Sequence, residues 1–473
     1  MSHPDSKDTS AAVPRPMKLG YGVGDFAANL AFQTTALFYV FFLTDIFGVD
    51  PFWAGIIFLI AKVWNALVDP LMGYVTDHTN SRFGKKRPYL LFGAVPLGIV
   101  FALLFFAPDI TPSAVSPYPR FIWGLITFIM FSSVISVVNV PYGAMTADLT
   151  LDTKERSNLT AYRMTFAVIG TLAAAGATKP LVTLLGGALG GGEAGGYRAV
   201  GIVYGALIAI VTLITFATVR ERVAHTEKKS PTTGSSFRVI VQNRPFLILA
   251  AATICHMVAV NTMAIVVNYY FKYNLKNEGM IPIAFLCLFV TAIAFIPVFV
   301  VISNRVSKRF AYNLGMGIMA ASMVSLYFFG ERGLVIFPGT LNIPLTLVIF
   351  VVAGIGMATN FLSPWAMVPD TVEYSQWKTG LRREGIIYGC YFFTFKFGSA
   401  LAGFLAGNAL GLSGYVANRP QTETALAGIR TILTLVPTAL ILIGIILIGR
   451  FPINAELHKR MLADIKKEES KSR

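Results

Sequence analysis

The chain has 473 residues, of which 55% are hydrophobic and only 13% charged, with a formal net charge of +15. A soluble domain carries about 25% charged residues, so this composition excludes an ordinary soluble protein and indicates a polytopic membrane protein. The excess base lies in short loops and tails beside apolar runs, which excludes nucleic acid as a partner and fits the orientation of spans in a bilayer.

Residues 1–17 are polar, with Pro and Ser but no apolar signal-peptide core, so they read as a cytoplasmic tail. The first span then serves as the uncleaved insertion signal. A hydrocarbon core takes roughly 20 apolar residues per helix. Runs of that kind lie near 20–46, 51–76, 89–108, 120–148, 159–186 and 198–220, and then near 245–271, 281–303, 310–330, 343–370, 387–413 and 426–449. They predict twelve transmembrane helices and an all-α membrane protein.

Taken in order, the first span carries Asp25 after GYGVG, whose small residues let a backbone or a ligand approach. Its carboxylate can accept hydrogen bonds from sugar hydroxyls, or serve as counter-charge to Arg163 or Lys396; Asn29 follows one turn later. In the second span Lys62, Asn65 and Asp69 share one helical face, with Pro70 next. Asp69 can bind a cation or a proton, or form a buried pair with Lys62. The fourth span holds Ser136, Asn139 and Pro141 in SVVNVPYG, which reads as a broken polar stretch lining a cavity. Arg163 opens the fifth span, where snorkelling to the surface is the alternative to a site role. GGALGGGEAGG (186–196) reads as a mobile loop. In the tenth span Trp365 follows Ser363 and Pro364. In the eleventh, Lys396 lies mid-span among Tyr391, Phe392 and Phe395, aromatic faces that can hold a sugar ring or simply pack. Charges at bilayer depth are costly, so Asp25, Asp69, Arg163 and Lys396 predict a shared polar cavity.

Basic residues concentrate in alternate loops, which places both termini in the cytoplasm. The Lys/Ser/Thr-rich stretch 221–244 reads as a flexible cytoplasmic linker between two six-helix halves, 18–220 and 245–450, with a cytoplasmic tail at 451–473. No strong sequence repeat relates the halves. Two charge-dense loops, DHTNSRFGKKRP (77–88) and DTVEYSQWKTGLRREG (370–385), are candidates for a cytoplasmic gate through Asp77, Arg82, Arg87, Asp370, Glu373, Arg382 and Arg383. Cys255, Cys287 and Cys390 fall in apolar runs and read as small hydrophobes.

GYGVGDFAANL, KVWNALVDPLMGYVTD with SRFGKKRP, VVNVPYGAM, ERSNLTAYR and PDTVEYSQWKTGLRREG together resemble the glycoside–pentoside–hexuronide:cation symporter family, over nearly the whole chain. The resemblance implies a major-facilitator fold in a bacterial inner membrane, and cation-driven sugar uptake by alternating access, with the substrate held between the halves. It implies sugar contact for Asp25 and Arg163, a cation site at Asp69, and Lys396 beside both. Asn29, Trp365 and Tyr391 complete the candidate substrate set; Asn65, Asn139, Ser136 and Lys62 complete the cation set. Melibiose-type carriers, by the same resemblance, have acids where this chain has Asn65 and Asn139. Amides there weaken a hard-cation site, so H+ rather than Na+ is the expected coupling ion. Arg163, Lys396 and Lys62 would suit an anionic sugar such as a glucuronide or a sulfonated sugar. The expected protein is a monomer without cofactor or metal. An uncoupled facilitator, a lipid-type carrier and a Na+-coupled symporter share the fold. A membrane-embedded enzyme on lipid-linked sugar lacks support, since there is no HExxH and the five histidines are scattered.

Overall fold

The computed structural model describes residues 13–471 apart from 80, 111–117, 151, 222–239, 332, 338–340, 362 and 381–383. Among these described residues twelve helical stretches are long and apolar enough to cross a membrane. Their bounds follow the predicted runs closely, because uninterrupted apolar sequence leaves the backbone only helical hydrogen bonding. The chain forms two compact units, Met1–Lys228 and Lys229–Arg473.

In the first unit the helices are α1 (Arg15–Phe41), α2 (Pro51–Asp77), α3 (Arg87–Leu104), α4 (Pro119–Ala144), the short α5 (Thr146–Leu149), α6 (Thr153–Ala188) and α7 (Gly192–Thr218). Helix α1 packs chiefly on α6, α3 on α7 and α2 on α4. Two expectations fail here. α4 runs unbroken through Pro141, since the ring costs one internal hydrogen bond that packing on α2 and α3 offsets. The glycine-rich stretch 186–196 is a loop only at 189–191; its two ends belong to α6 and α7. A Cβ on Gly196 would lie 2.1 Å from the Val182 carbonyl, so these glycines let α6 and α7 meet backbone to backbone.

The second unit holds α8 (Arg244–Tyr269), α9 (Ile281–Arg305), α10 (Lys308–Phe329), α11 (Leu345–Met357), α12 (Ser363–Thr379), α13 (Glu384–Leu412), α14 (Glu423–Leu433), α15 (Leu435–Gly449) and α16 (Ala455–Lys471). The tenth span is interrupted by a 3-10 turn at Ala358–Phe361, between α11 and α12. The twelfth is split at Thr434. A small antiparallel hairpin, β1 (Gly333–Phe337) with β2 (Leu341–Pro344), joins α10 to α11 and pairs Gly333 with Pro344. The predicted C-terminal tail is the helix α16, which packs on α12. Trp377 Nε1 donates to Asp464 Oδ2 at 3.0 Å, and Met461 is fully buried.

The units repeat each other in detail that the sequence hid. The first span of each ends in a π-helical turn, Phe42–Ile46 and Tyr270–Asn274. Each turn is followed by a residue of positive φ, Gly48 at 75° and Lys276 at 50°. In the first unit Lys86 Nζ donates to the Ala144 carbonyl at 2.8 Å and pairs with Asp148 at 2.6 Å. In the second, Lys308 Nζ donates to the Ala366 carbonyl at 2.8 Å and pairs with Asp370 at 2.7 Å. The lysine-to-carbonyl separation is 58 residues in both. The following arginines repeat as well: Arg87 donates to Phe216 O at 2.9 Å and Arg309 to Phe451 O at 2.6 Å. The arginines thus place a cation at the carbonyl end of a helix in each unit, Phe216 in the last turn of α7 and Phe451 just past α15, where the helix dipole is negative; of the lysines only Lys86 does so, since Ala366 lies in the first turn of α12.

Candidate functional site

The first unit contains two polar clusters. In one, Asp25 of α1 is 7% exposed and fully engaged. Arg163 of α6 donates to it from Nε at 2.5 Å and from Nη2 at 3.3 Å. The Tyr142 hydroxyl of α4 donates to Oδ2 at 2.8 Å. The guanidinium lies 5.3 Å and 5.1 Å from the ring centroids of Tyr21 and Tyr142, a cation–π arrangement. Thr146 links Tyr21 and Arg163. The GYGVG run is why α1 can bring its carboxylate here: a Cβ on Gly24 would come within 2.5 Å of the Tyr142 ring. Arg163 is therefore an internal ion-pair partner and does not snorkel. Asn29 spends its amide on its own helix, donating to Asp25 O at 2.9 Å.

The second cluster joins α2 to α4. Asn65 donates to Ser136 Oγ at 2.8 Å and to Ser132 O at 3.0 Å. Ser136 donates in turn to Asp69 Oδ1 at 2.6 Å. The predicted set is brought together with two exceptions. Asn139 makes no hydrogen bond among the described residues and lines a small cavity with Gly24, Ala27, Leu90 and Thr212. Lys62 does not pair with Asp69; its ammonium stands 5.7, 5.3 and 5.9 Å from the centroids of Phe32, Phe58 and Phe128. Among the described residues no carboxylate lies within ion-pair distance of Lys62, and three ring faces replace the counter-charge. The Asp69 cluster offers a cation one carboxylate, one hydroxyl, one amide and a backbone carbonyl, a weak set for a hard ion that prefers several anionic oxygens.

In the second unit Trp365 of α12 is ringed by Tyr391 at 4.9 Å, Phe392 at 5.2 Å and Phe395 at 5.9 Å from α13. Trp365 is half-buried and its ring N–H makes no hydrogen bond among the described residues. Tyr391 is fully buried with its hydroxyl unpartnered. Lys396 is half-buried near the middle of α13.

Of the gate candidates, Arg382 and Arg383 lie outside the described residues, as does the side chain of Asp77. Arg82 is exposed and its guanidinium lies 4.8 Å from the centroid of the neighbouring Phe83 ring. Arg87 is held within its own unit by Phe216. Glu221 receives the backbone N–H groups of Lys85, Lys86 and Arg87 at 3.0, 2.8 and 3.2 Å, an anion at a helix N-terminus. Asp370 pairs with Lys308, and Glu373 with His458 at 2.6 Å. Ligand atoms of Asp370, Glu373 and His458 lie within 4.8 Å of one another, a spacing that would admit a metal ion. The Lys308 ammonium, 2.7 and 2.9 Å from the two Asp370 oxygens, already holds the cation position.

Sequence reading missed several pairs. Lys179 meets Glu193 at 2.5 Å and lies over Phe41. Lys18 meets Glu155 at 2.8 Å, and the Lys18 hydrogen bond holds the Glu155 carboxyl below its ordinary range. An ionisable residue inside an apolar run was the available signal for Lys179. For Lys86 and Lys308 it was the shared Ala-Met-x-x-Asp at 144–148 and 366–370.

The family model for MFS/sugar transport protein matches residues 20–455. The chain is 34% identical over 453 residues to the uncharacterized symporter YnaJ of Bacillus subtilis (strain 168), covering 95% of this chain and 94% of that one. It is 29% identical over 457 residues to a glucuronide carrier protein homolog of Escherichia coli (strain K12), covering 94% of each. A variant of the nucleoside transporter NupG shares the fold with a TM-score of 0.66 at 13% identity, over 92% of this chain and all of that one. The chain belongs to the MFS/sugar transport protein family: it is a multi-pass membrane transporter and not an enzyme.

Proposed function

We propose that this family member is a secondary active symporter that imports a sugar bearing an anionic group, coupled to H+ and working by alternating access. Its place would be the bacterial inner membrane with both termini cytoplasmic, as its basic loops favour. The observation that carries the coupling reading is the Asp69 cluster: among the described residues a single carboxylate, hydrogen-bonded by Ser136, with the Asn65 amide beyond it where a metal cation would want another acid. A proton needs only the one carboxylate. Trp365 and Tyr391 supply an aromatic face and two unspent hydrogen-bond groups for a sugar ring and its hydroxyls. Lys62, Lys396 and Arg163 supply positive charge for a carboxylate or sulfonate. Asp25 is locked to Arg163 in this arrangement, and its role is to release one or both groups when ligand enters. The glucuronide carrier homolog supports the anionic class.

The test is uptake into proteoliposomes of methyl glucoside, methyl glucuronide and a sulfonated hexose, with an imposed pH gradient or with sodium. The expected result is accumulation of an anionic sugar that follows the pH gradient and ignores sodium. Sodium-dependent accumulation overturns the proton assignment. Equilibration without accumulation makes the protein a facilitator.

A further inference from the structure

Two cations of the first unit lie among aromatic rings, and one of them has an acid. Arg163 lies over Tyr21 and Tyr142 and pairs with Asp25 at 2.5 Å. Lys62 of α2 lies over Phe32 of α1, Phe58 of its own helix and Phe128 of α4. Among the described residues its ammonium makes no hydrogen bond and meets no carboxylate. The next polar side chain along this face of α2, Asn65, gives its N–H groups to Ser132 O and Ser136 Oγ. Thr127, beside Phe128, donates to Trp123 O in its own helix at 2.8 Å. Ring faces offset only part of the cost of holding an ammonium away from water, so an ionisable side chain at this depth marks a functional position.

Lys62 is not sealed in. Phe58 and Phe128 are 1% and 0% exposed, but Lys62 and Phe32 are only half-buried. Phe32 belongs to a half-buried stripe on α1 with Asn29 and Gln33, and the stripe continues the helix face that carries Asp25. Asn29 spends its N–H on the Asp25 carbonyl and keeps its amide oxygen. Gln33 has no hydrogen bond among the described residues. Asp25 and Phe32 stand two helical turns apart, roughly 10 Å of rise, a span comparable to a hexuronide with its aglycone.

We propose that Lys62 is an anion subsite separate from the Asp25–Arg163 pair: it takes the carboxylate or sulfonate of the sugar, with Asn29 and Gln33 taking ring hydroxyls in between. Arg163 is balanced by Asp25, so an anion arriving there must first displace an acid. Lys396 has interactions of its own. At Lys62 an anion displaces no acid. The ammonium supplies the N–H donors, and the surrounding rings keep water from weakening the attraction. A neutral sugar gains nothing from that charge, which makes Lys62 the residue that tells an anionic sugar from a neutral one. A small inorganic anion would meet the ammonium but leave the Asn29–Gln33 stripe without a partner. The inference rests on the anionic-sugar reading and narrows its three cations to one.

Titration calorimetry on the purified full-length protein tests it. Methyl glucuronide should bind the wild type roughly thirtyfold more tightly than methyl glucoside. Lys62→Met fills the same space among the rings. It should abolish the preference, weakening glucuronide roughly thirtyfold and glucoside less than about threefold, whereas Lys62→Arg should keep most of it. Undiminished glucuronide binding by Lys62→Met, or an equal loss for both sugars, overturns the proposal while leaving anionic-sugar symport standing. A wild type without preference for glucuronide overturns that reading and this inference with it. Chloride alone should give no saturable heat; chloride binding that Lys62→Met abolishes marks an inorganic-anion site and overturns the sugar assignment. Should Lys62→Met not fold, the wild type carries the test by magnetic resonance of isotope-labelled lysines. Glucuronide and not glucoside should then shift one Nζ signal, the one missing from Lys62→Arg. A signal that stays in place with both sugars overturns the proposal.

Discussion

The two units are alike at one end and unlike in the middle. Lys86 with Ala144 and Asp148, and Lys308 with Ala366 and Asp370, are built to the same spacing. Yet the first unit joins charge to charge in its interior at Asp25 and Arg163, with Lys62 held among three rings, while the second gathers aromatic rings and unpartnered hydroxyls around Tyr391. The likeness belongs to holding helix ends together. The difference belongs to ligand handling: paired charges tolerate little displacement, whereas polar atoms without partners are ready to receive something. A fold can therefore be duplicated while its interior chemistry diverges.

The contrast breaks most sharply at Asp25. Asp25→Ala leaves a largely buried guanidinium without its acid, and should cost about 3–5 kcal/mol of stability as well as transport. The double variant Asp25→Asn with Arg163→Gln should recover much of the stability but not the transport, measured by thermal unfolding and uptake. No equally large loss of stability is expected from Tyr391→Phe in the second unit, which removes a hydroxyl without a hydrogen-bond partner among the described residues.

The shared ends predict unequal losses. Asp148→Ala strands Lys86, whose side chain is 11% exposed, whereas Asp370→Ala leaves Lys308 at 37% exposure with water in reach. The first should lower stability by about 2 kcal/mol or more and the second by roughly half as much. Equal losses would show that exposure does not set the difference.

The fold was legible because twelve apolar runs admit little but helices. Asp25, Asp69 and Arg163 stood out as charges inside such runs, and the spacing of Asn65 and Asp69 correctly put them on the face that meets Ser136. What stayed hidden depends on contacts between helices. Lys62 could be matched with Asp69 by spacing alone, but three rings from α1, α2 and α4 claim it. Glycines at 186–196 looked like a loop because composition cannot separate a flexible turn from a close helix crossing.

Smaller substitutions sharpen the same comparison. Gly24→Ala should push the Tyr142 ring off Asp25 and lower apparent sugar affinity several-fold, whereas Gly143→Ala, with nothing within 4 Å, should leave uptake unchanged. The smallest effect is expected at Glu155. Its carboxyl is held below its ordinary value of 4.5 by Lys18, so its stabilisation is complete above that value and fades as pH falls through the lowered folded value. A melting curve that loses part of its acid-side slope in Glu155→Gln would bear this out.

The α16 helix has a practical consequence for handling the protein. His458 and Met461 sit on it, one against Glu373 and the other in the apolar interior. A reporter domain or affinity tag joined after the twelfth span in place of α16 would strip cover from the Lys308–Asp370 pair and change the molecule it was meant to report on. Fusions appended beyond Lys471 spare that contact.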